Sequence, residues 1–286
     1  MQYIRKTLNT FSRFWPLIKS LQTFLLLSTG LAGLLSAHTH PPLGVNLSVA
    51  GSLFLSISGS TILNMWHDVD LDTVMNRTHN RPLATGMVSR PSALRLGLFL
   101  SVLGVAWAIS MKPLYGMLVF AGLFLDVVVY TVWLKRRTCW SIVWGGISGG
   151  MPILAGRVMA LGHFDLVGIL LSLAVLFWIP THILTFSMRY FDDYQAAHVP
   201  TFPSTYGFDI TRSVIALSSI IAAASIGVAG VMIGVQAGFL RLMAVLSTGL
   251  VLLSLATVLR PSERVNFSLF KYASIYMLAS IILLTI

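Results

Sequence analysis

The 286-residue chain has nine acidic residues, and five of them stand in two short stretches. The first runs Asn64-Met65-Trp66-His67-Asp68-Val69-Asp70-Leu71-Asp72; the second contains Asp192 and Asp193. On a helix, Asn64, Asp68 and Asp72 would share one face over two turns, with Asp70 turned away. Two carboxylates stacked in this way repel each other unless a cation lies between them. The natural occupant is a divalent ion that also carries a phosphorylated substrate, since Mg²⁺ takes one or two carboxylates and leaves its other positions to water and phosphate oxygens. The competing reading is a solvated helix end whose acids are balanced by Arg77 and Arg81.

A run of bases, Lys135-Arg136-Arg137, follows an apolar segment that ends in Tyr130-Thr131-Val132-Trp133-Leu134. Such a run is either a topological anchor or a clamp for an anionic leaving group. His182 lies in an apolar stretch, where a histidine is costly unless it faces a cavity or is satisfied by packing. Asp126 reads as a buried acid with no evident partner, and Arg157 and His163 as snorkelling or loop residues. The single cysteine, Cys139, excludes an internal disulfide and a cysteine-based metal cluster.

The elements that must position these residues are membrane helices. Charged residues make up 10% of the chain, hydrophobic residues 56%, and the mean hydropathy is +0.84. A soluble domain carries about 25% charge, so the expected solvent is lipid. Nine segments are long and apolar enough to span, at about 17–37, 43–66, 92–111, 113–134, 140–161, 165–187, 212–235, 237–259 and 268–286. With the N-terminus inside, all of the 19 Lys and Arg except Lys112, Arg157 and Arg241 fall on the inner side. This bias predicts N-terminus in and C-terminus out, and it puts both acidic stretches on the cytosolic face. The net charge of +10 is scattered through loops and forms no stripe for nucleic acid. Residues 1–16 read as an amphipathic cytosolic lead-in without a cleavage site. The expected architecture is a single all-α unit over 1–286, nine transmembrane helices capped by inner loops at about 67–91, 135–139 and 188–211.

These residues resemble the UbiA superfamily of membrane prenyltransferases, with its Asn-x3-Asp-x3-Asp motif and a second Asp-rich loop. Three stretches are similar to the heme O synthase branch: Arg77-Thr78-x-x-Arg81-Pro82-Leu83; Tyr130 to Thr138, leading to Gly145-Gly146-x-x-Gly149-x-x-Pro152; and Trp178 to Pro203, with His182, Asp193-Tyr194 and Val199-Pro200. The chain departs from the branch at Val69, at Pro180-Thr181 and at His198.

The resemblance implies a nine-helix fold and Mg²⁺-dependent farnesyl transfer from farnesyl diphosphate to a vinyl group of heme B. Asn64, Asp68, Asp72 and Asp193, with Asp192, would hold the metal-bound diphosphate. Lys135, Arg77, Arg81, Tyr130 and Arg137 would contact the diphosphate, and His182 and Tyr194 the heme acceptor. Heme is then a substrate and not a prosthetic group; a downstream heme A synthase or oxidase-assembly partner would take the product. The missing Arg/Ser-rich transit segment points to a bacterial or archaeal cell membrane. Two alternatives stay open: an aromatic or quinone-precursor acceptor, and a transporter or heme carrier, for which internal repeats and midplane breaks would be the sign.

Overall fold

A computed structural model describes residues 14–37 and 40–285. The expected lead-in, residues 1–16, falls largely outside the described residues. After a 3-10 turn at Trp15–Ile18 the chain forms α1 (Ser20–Leu35), α2 (Leu43–His67), the short α3 (Val69–Val74), α4 (Arg90–Met111), α5 (Pro113–Leu134), α6 (Ser141–Leu161) and α7 (Leu166–Arg189). The short α8 (Phe191–Ala196), α9 (Phe202–Ile233), α10 (Ala237–Leu259) and α11 (Glu263–Leu283) complete it. Seven of these, α2, α4, α5, α7, α9, α10 and α11, are long and apolar enough to cross a membrane. At 16 residues, α1 reaches only about 24 Å, short of a hydrocarbon core of about 30 Å.

The helices pack in a ring in which α1 meets α2 and α6, α2 meets α4, α4 meets α5, and α5 meets α6. On the other side α7 meets α6, α9 and α11, and α10 lies between α9 and α11. Small residues allow the closest approaches. A Cβ on Gly156 of α6 would come within 1.8 Å of the Gly30 carbonyl oxygen of α1, and one on Gly59 of α2 within 2.6 Å of the Ser101 backbone nitrogen of α4. Without a hydrophobic drive between helices in lipid, such backbone proximity is a main source of association.

Three local features differ from the sequence expectation. The helix that was to carry Asn64, Asp68 and Asp72 without interruption breaks at Asp68 (φ −92°, ψ 12°), and α3 resumes one residue later. The amides of Asp68 and Asp72 still donate to the carbonyls of Asn64 and Asp68, at 3.0 and 2.8 Å, so the four-residue spacing survives the break. α9 starts at Phe202 and not near 212, because Thr201 and Ser204 form a capping box and Pro203 occupies the first turn. A left-handed Gly207 (φ 81°) kinks it. Finally, α5 widens over Leu125–Leu134, where the Lys135 amide reaches back five residues to the Tyr130 carbonyl. This underwound segment carries Asp126 and Tyr130 and turns both toward the interior chamber.

The chamber encloses about 560 Å³, within the usual range of ligand sites. Apolar side chains of α1, α2, α5, α6, α7 and α11 line it, among them Phe24, Leu53, Leu123, Trp178 and Ile275. Leu21 and Phe24 of α1 and Ile275 and Leu278 of α11 line the chamber while being exposed themselves. The chamber therefore opens sideways at the seam between these two helices.

Candidate active site

The polar end of the bundle is built from the α2–α3 junction, the loop before α4, the end of α5 and the α7–α8 turn. Asp68 and Asp72 are 5% and 3% exposed, so each needs a counter-charge. Lys135 donates to one oxygen of Asp68, while Arg136 lies 3.8 Å from the other. Arg81 donates from one nitrogen to both oxygens of Asp72, at 2.7 and 2.8 Å. Asp70, on the outer side of α3 as expected, takes both terminal nitrogens of Arg136 at 2.6 and 2.7 Å. That contact holds its carboxyl below the usual carboxylate range.

Burial alone would pull the Lys135 ammonium down. The carboxylate of Asp68, and after it the hydroxyls of Tyr130 and Tyr194, instead keep it above the ordinary lysine range. The protonated lysine is therefore fixed at the rim of the chamber, which Tyr130 lines just below. Gly145 of α6 makes room for the Tyr130 ring, since a Cβ there would already stand 3.3 Å from it.

Asp193 ties the second acidic stretch to the loop that follows α3. One of its oxygens accepts from the backbone and side-chain nitrogens of Asn76 at 3.3 and 3.2 Å, the other from the Arg77 amide at 3.1 Å. Beneath this contact Leu71 and Met75 pack against Ala197, Val199 and Tyr194. The loops carrying Asp68, Asp193 and Lys135 thus meet over one end of the chamber.

Other expected site residues go elsewhere. Asp192 is exposed and makes no ion pair among the described residues. Arg137 lines a surface groove with Asp70, Arg90 and Trp133 but bonds no acid among the described residues; Arg136 is the base that pairs with Asp70. Arg77 approaches Asp193 only through its amide; its guanidinium lies over the rings of Phe186 and Tyr190, 4.8 and 5.6 Å from their centroids. Asn64 does not point freely at the acids. It donates to Asp126 at 2.8 Å and accepts from Thr131 at 2.9 Å, while Ser60 also donates to Asp126. Asp126, which read as partnerless, thus orients Asn64 from the neighbouring helix.

His182 lies on the chamber wall, stacked between Trp178 and Phe270 at 5.0 and 4.5 Å, with Nδ1 3.3 Å from the Ser274 hydroxyl. At the opposite end of the bundle Arg157 is no snorkelling residue. It is 7% exposed and donates to Asp165 and to both oxygens of Ser36.

Lys19 escaped the sequence reading, where it counted only toward topology. It has a left-handed backbone (φ 49°) at the end of the 3-10 turn, which Thr61 of α2 fastens by donating to the Ile18 carbonyl at 3.2 Å. Burial, with Arg81 and Lys135 nearby, lowers its ammonium from 10.5 to about 8 against the opposing pull of Asp72 and Asp126. It is therefore a further cation at the same rim, beside Arg81 and Lys135.

Among the described residues no three His, Cys, Asp or Glu side chains form a ready metal cage. Asp68 and Asp72, one helical turn apart at the α2–α3 junction, present hard oxygens, the donor type that Mg²⁺ takes together with a polyphosphate. The charges facing Asp68 and Asp72 come from the tips of long, partly exposed side chains.

Comparison with known proteins identifies the fold and the family. The model of the UbiA prenyltransferase family matches residues 25–278. A protoheme IX farnesyltransferase of Korarchaeum cryptofilum is 40% identical over 205 residues, covering 72% of this chain and 69% of that protein. A structure of digeranylgeranylglyceryl phosphate synthase superposes with a TM-score of 0.79 at 15% identity, over 97% of this chain and 99% of that one. A UbiA homolog from Archaeoglobus fulgidus bound to GPP and Mg²⁺ gives 0.70 at 13% identity, over 96% and 100%. The chain belongs to the UbiA prenyltransferase family, and within it stands close to the protoheme IX farnesyltransferases.

Proposed function

We propose that the protein transfers the farnesyl group of farnesyl diphosphate to a vinyl group of protoheme IX, with addition of water, to give heme O. The observation that carries this reading is the pairing of Asp68 with Lys135 and of Asp72 with Arg81 at the mouth of an apolar chamber. Relatives bearing that activity in their names supply the choice of acceptor.

Asp68, Asp72 and Asp193, with Asn64 held ready by Asp126, would hold Mg²⁺ together with the diphosphate. The ion supplies neutralisation of the diphosphate charge, which helps the leaving group depart. Lys135, Arg81 and Lys19, at the same rim, would then contact the phosphate oxygens. Internal ion pairs at the rim would thereby give way to pairs with substrate, so that no buried charge is left bare. Tyr130, between rim and chamber, stands beside the bond that breaks.

The farnesyl chain enters from the lipid through the seam between α1 and α11 and lies in the chamber. Burial of about 0.8 kcal/mol per CH₂ makes this a large share of its affinity. The apolar walls keep water from the allylic cation until the vinyl carbon has attacked it; water then captures the cation left beside the porphyrin ring. His182 faces the same chamber. The Ser274 hydroxyl and the two flanking rings fix its orientation, so it is the residue we assign to the heme iron, with Tyr194 at the acceptor side of the rim.

In this reading nine helices, α1 and α6 included, cross the membrane of a bacterial or archaeal cell as one unit, with the N-terminus and the acidic rim in the cytosol. The loops at 67–91, 135–139 and 188–211 cap the site, and the product passes to an enzyme or assembly factor that consumes heme O. Purified membranes given farnesyl diphosphate, Mg²⁺ and either heme B or 4-hydroxybenzoate decide the acceptor. A mass gain of farnesyl plus water on heme is expected; a product on the phenol alone would reassign the reaction. Loss of the iron Soret shift in His182→Ala, with farnesyl diphosphate binding intact, checks the ligand.

A further inference from the structure

We propose that Arg77, Arg189 and Lys271 form a carboxylate-binding shelf that receives the two propionates of the porphyrin acceptor, an inference that rests on protoheme IX being that acceptor. Three observations carry it.

The first is charge. The rim cations Arg81, Lys135 and Arg136 all face carboxylates. Arg77, Arg189 and Lys271 face none among the described residues, and their side-chain nitrogens donate to no group there. Each lies instead on an aromatic face. Arg77 is 4.8 Å from the Phe186 centroid, while Arg189 and Lys271 are 3.9 and 4.6 Å from that of Phe267. Stacking holds a cation in place by its flat side or its stem and leaves N–H groups unspent for an anion.

The second is continuity with the chamber. On α7, His182, Phe186 and Arg189 recur at helical spacing and share one face; on α11, Phe267, Phe270 and Lys271 do the same. The two faces meet. Phe270 stacks on His182 at 4.5 Å and stands 5.7 Å from Phe186, and Asn266 ties the helices by donating to the Thr185 carbonyl at 2.8 Å. An aromatic wall therefore runs without a break from the chamber to the three cations.

The third is the shape this implies for the ligand. The wall suits a flat, largely apolar molecule whose carboxylates project from one edge. From His182 to Arg189 the helix rises about 10 Å. That length is of the order of the reach from a porphyrin centre to its propionate carboxylates, so the iron could sit at His182 while both carboxylates lie on the shelf. Cations that merely snorkelled to lipid headgroups would fan outward around the bundle; these three converge on adjoining rings. Anionic oxygen is common to propionates and lipid phosphates, and the test separates the two.

The full-length protein in nanodiscs of uncharged lipid is assayed with protoheme IX and with its dimethyl ester. The wild type is expected to show a KM for the ester about tenfold above that for the free acid, one or two charge-assisted hydrogen bonds being worth that factor. The double variant Arg189→Gln/Lys271→Gln should raise the KM for protoheme about tenfold. The KM for the ester, the KM for farnesyl diphosphate and kcat should stay unchanged. A double variant that still prefers the free acid overturns the shelf, and so does a wild type that never distinguished acid from ester. Anionic lipid that raises the wild-type KM for protoheme to the level of the double variant assigns the cations to headgroups and also overturns it. Farnesyl transfer from the wild type to neither porphyrin, while a phenol is alkylated, removes the underlying reading instead.

Discussion

Buried ion pairs close both ends of this helix bundle, but they are built differently. At the end away from the acids Arg157 gives Asp165 three hydrogen bonds of 2.7 to 2.9 Å and Ser36 two more, and the Gly168 amide completes the carboxylate. All three guanidinium nitrogens donate, and every partner lies close in the fold. At the acidic end Asp68 and Asp72 are buried more deeply than Asp165, yet their partners are the partly exposed tips of two long side chains, Lys135 from the end of α5 and Arg81 from the loop before α4. The first arrangement is a lock. The second is a set of pairs that can be exchanged for metal and phosphate.

The comparison breaks most visibly at the acidic end. Asp68→Asn or Asp72→Asn is expected to lower farnesyl transfer about a thousandfold, the scale of losing electrostatic stabilisation of a leaving group, and removal of Mg²⁺ by EDTA should do the same. Lys135 and Arg81 remain partly exposed and can reach water, so melting of these variants in detergent should stay near that of the wild type. A variant that melts early and keeps its activity when folded would make this end a lock too.

At the other end the balance inverts. Arg157→Met strands Asp165 and should cost about 3 kcal/mol of stability, with kcat of the folded fraction unchanged. Asp165 is held below its ordinary 3.8 by Arg157 and the Gly168 amide, which outweigh its burial. A depressed carboxylate contributes stability above its unfolded pKa and loses it as pH falls through the folded one. The lock should therefore hold at every pH above about 4, and the stability difference between wild type and variant should shrink only below that. Thermal denaturation of the two proteins across pH measures it.

A smaller effect is expected at Lys19. Its ammonium in the free protein titrates near 8, and a diphosphate beside it raises that value. Farnesyl diphosphate binding then takes up a proton and weakens as pH rises through about 8. Folding has the opposite sign, since between about 8 and 10.5 the unfolded chain holds more protons and stability from this group increases with pH. Lys19→Met should raise the KM for farnesyl diphosphate about tenfold and flatten its pH dependence, a loss in keeping with one charge-assisted contact to phosphate. Lys19→Arg should flatten the dependence while keeping the affinity. A Lys19→Met protein with the wild-type pH profile would remove this residue from the rim.

These contrasts also mark what could be read from residue order. The scarcity of acids made Asp68, Asp72 and Asp193 conspicuous, and the segregation of Lys and Arg brought their loops to one side. Partner choice was not legible, because it depends on contacts between residues far apart in the chain. Asn64 finds Asp126 from a neighbouring helix, which requires the underwound turns of α5, and Asp193 spends its oxygens on the Asn76 and Arg77 amides. Lys19 was hidden for a different reason. A lone lysine before an apolar run reads as a topological anchor, and only the turn fastened to Thr61 brings it to the rim. In Lys135-Arg136-Arg137 the run itself stood out, but the division of labour that pairs Lys135 with Asp68 and Arg136 with Asp70, and gives Arg137 no acid among the described residues, did not.

The smallest expected effect sharpens the same distinction within the acidic end. Asp70 stands two residues from both buried acids and has the best-formed pair at the rim, with both terminal nitrogens of Arg136 on its two oxygens. Proximity and hydrogen-bond geometry alone would rank it with Asp68 and Asp72. Its side chain is 57% exposed, however, so water and salt screen the pair, and such contacts contribute at most about 1 kcal/mol. Asp70→Ala should therefore cost less than about threefold in kcat/KM, and the loss should shrink further at high salt. The route of any loss runs through Arg136, which also approaches Asp68 at 3.8 Å and, once freed from Asp70, can draw closer to it. Arg136→Ala in the Asp70→Ala background should then add little. A loss approaching that of Asp68→Asn would mean that exposure does not separate the exchangeable acids from the screened one.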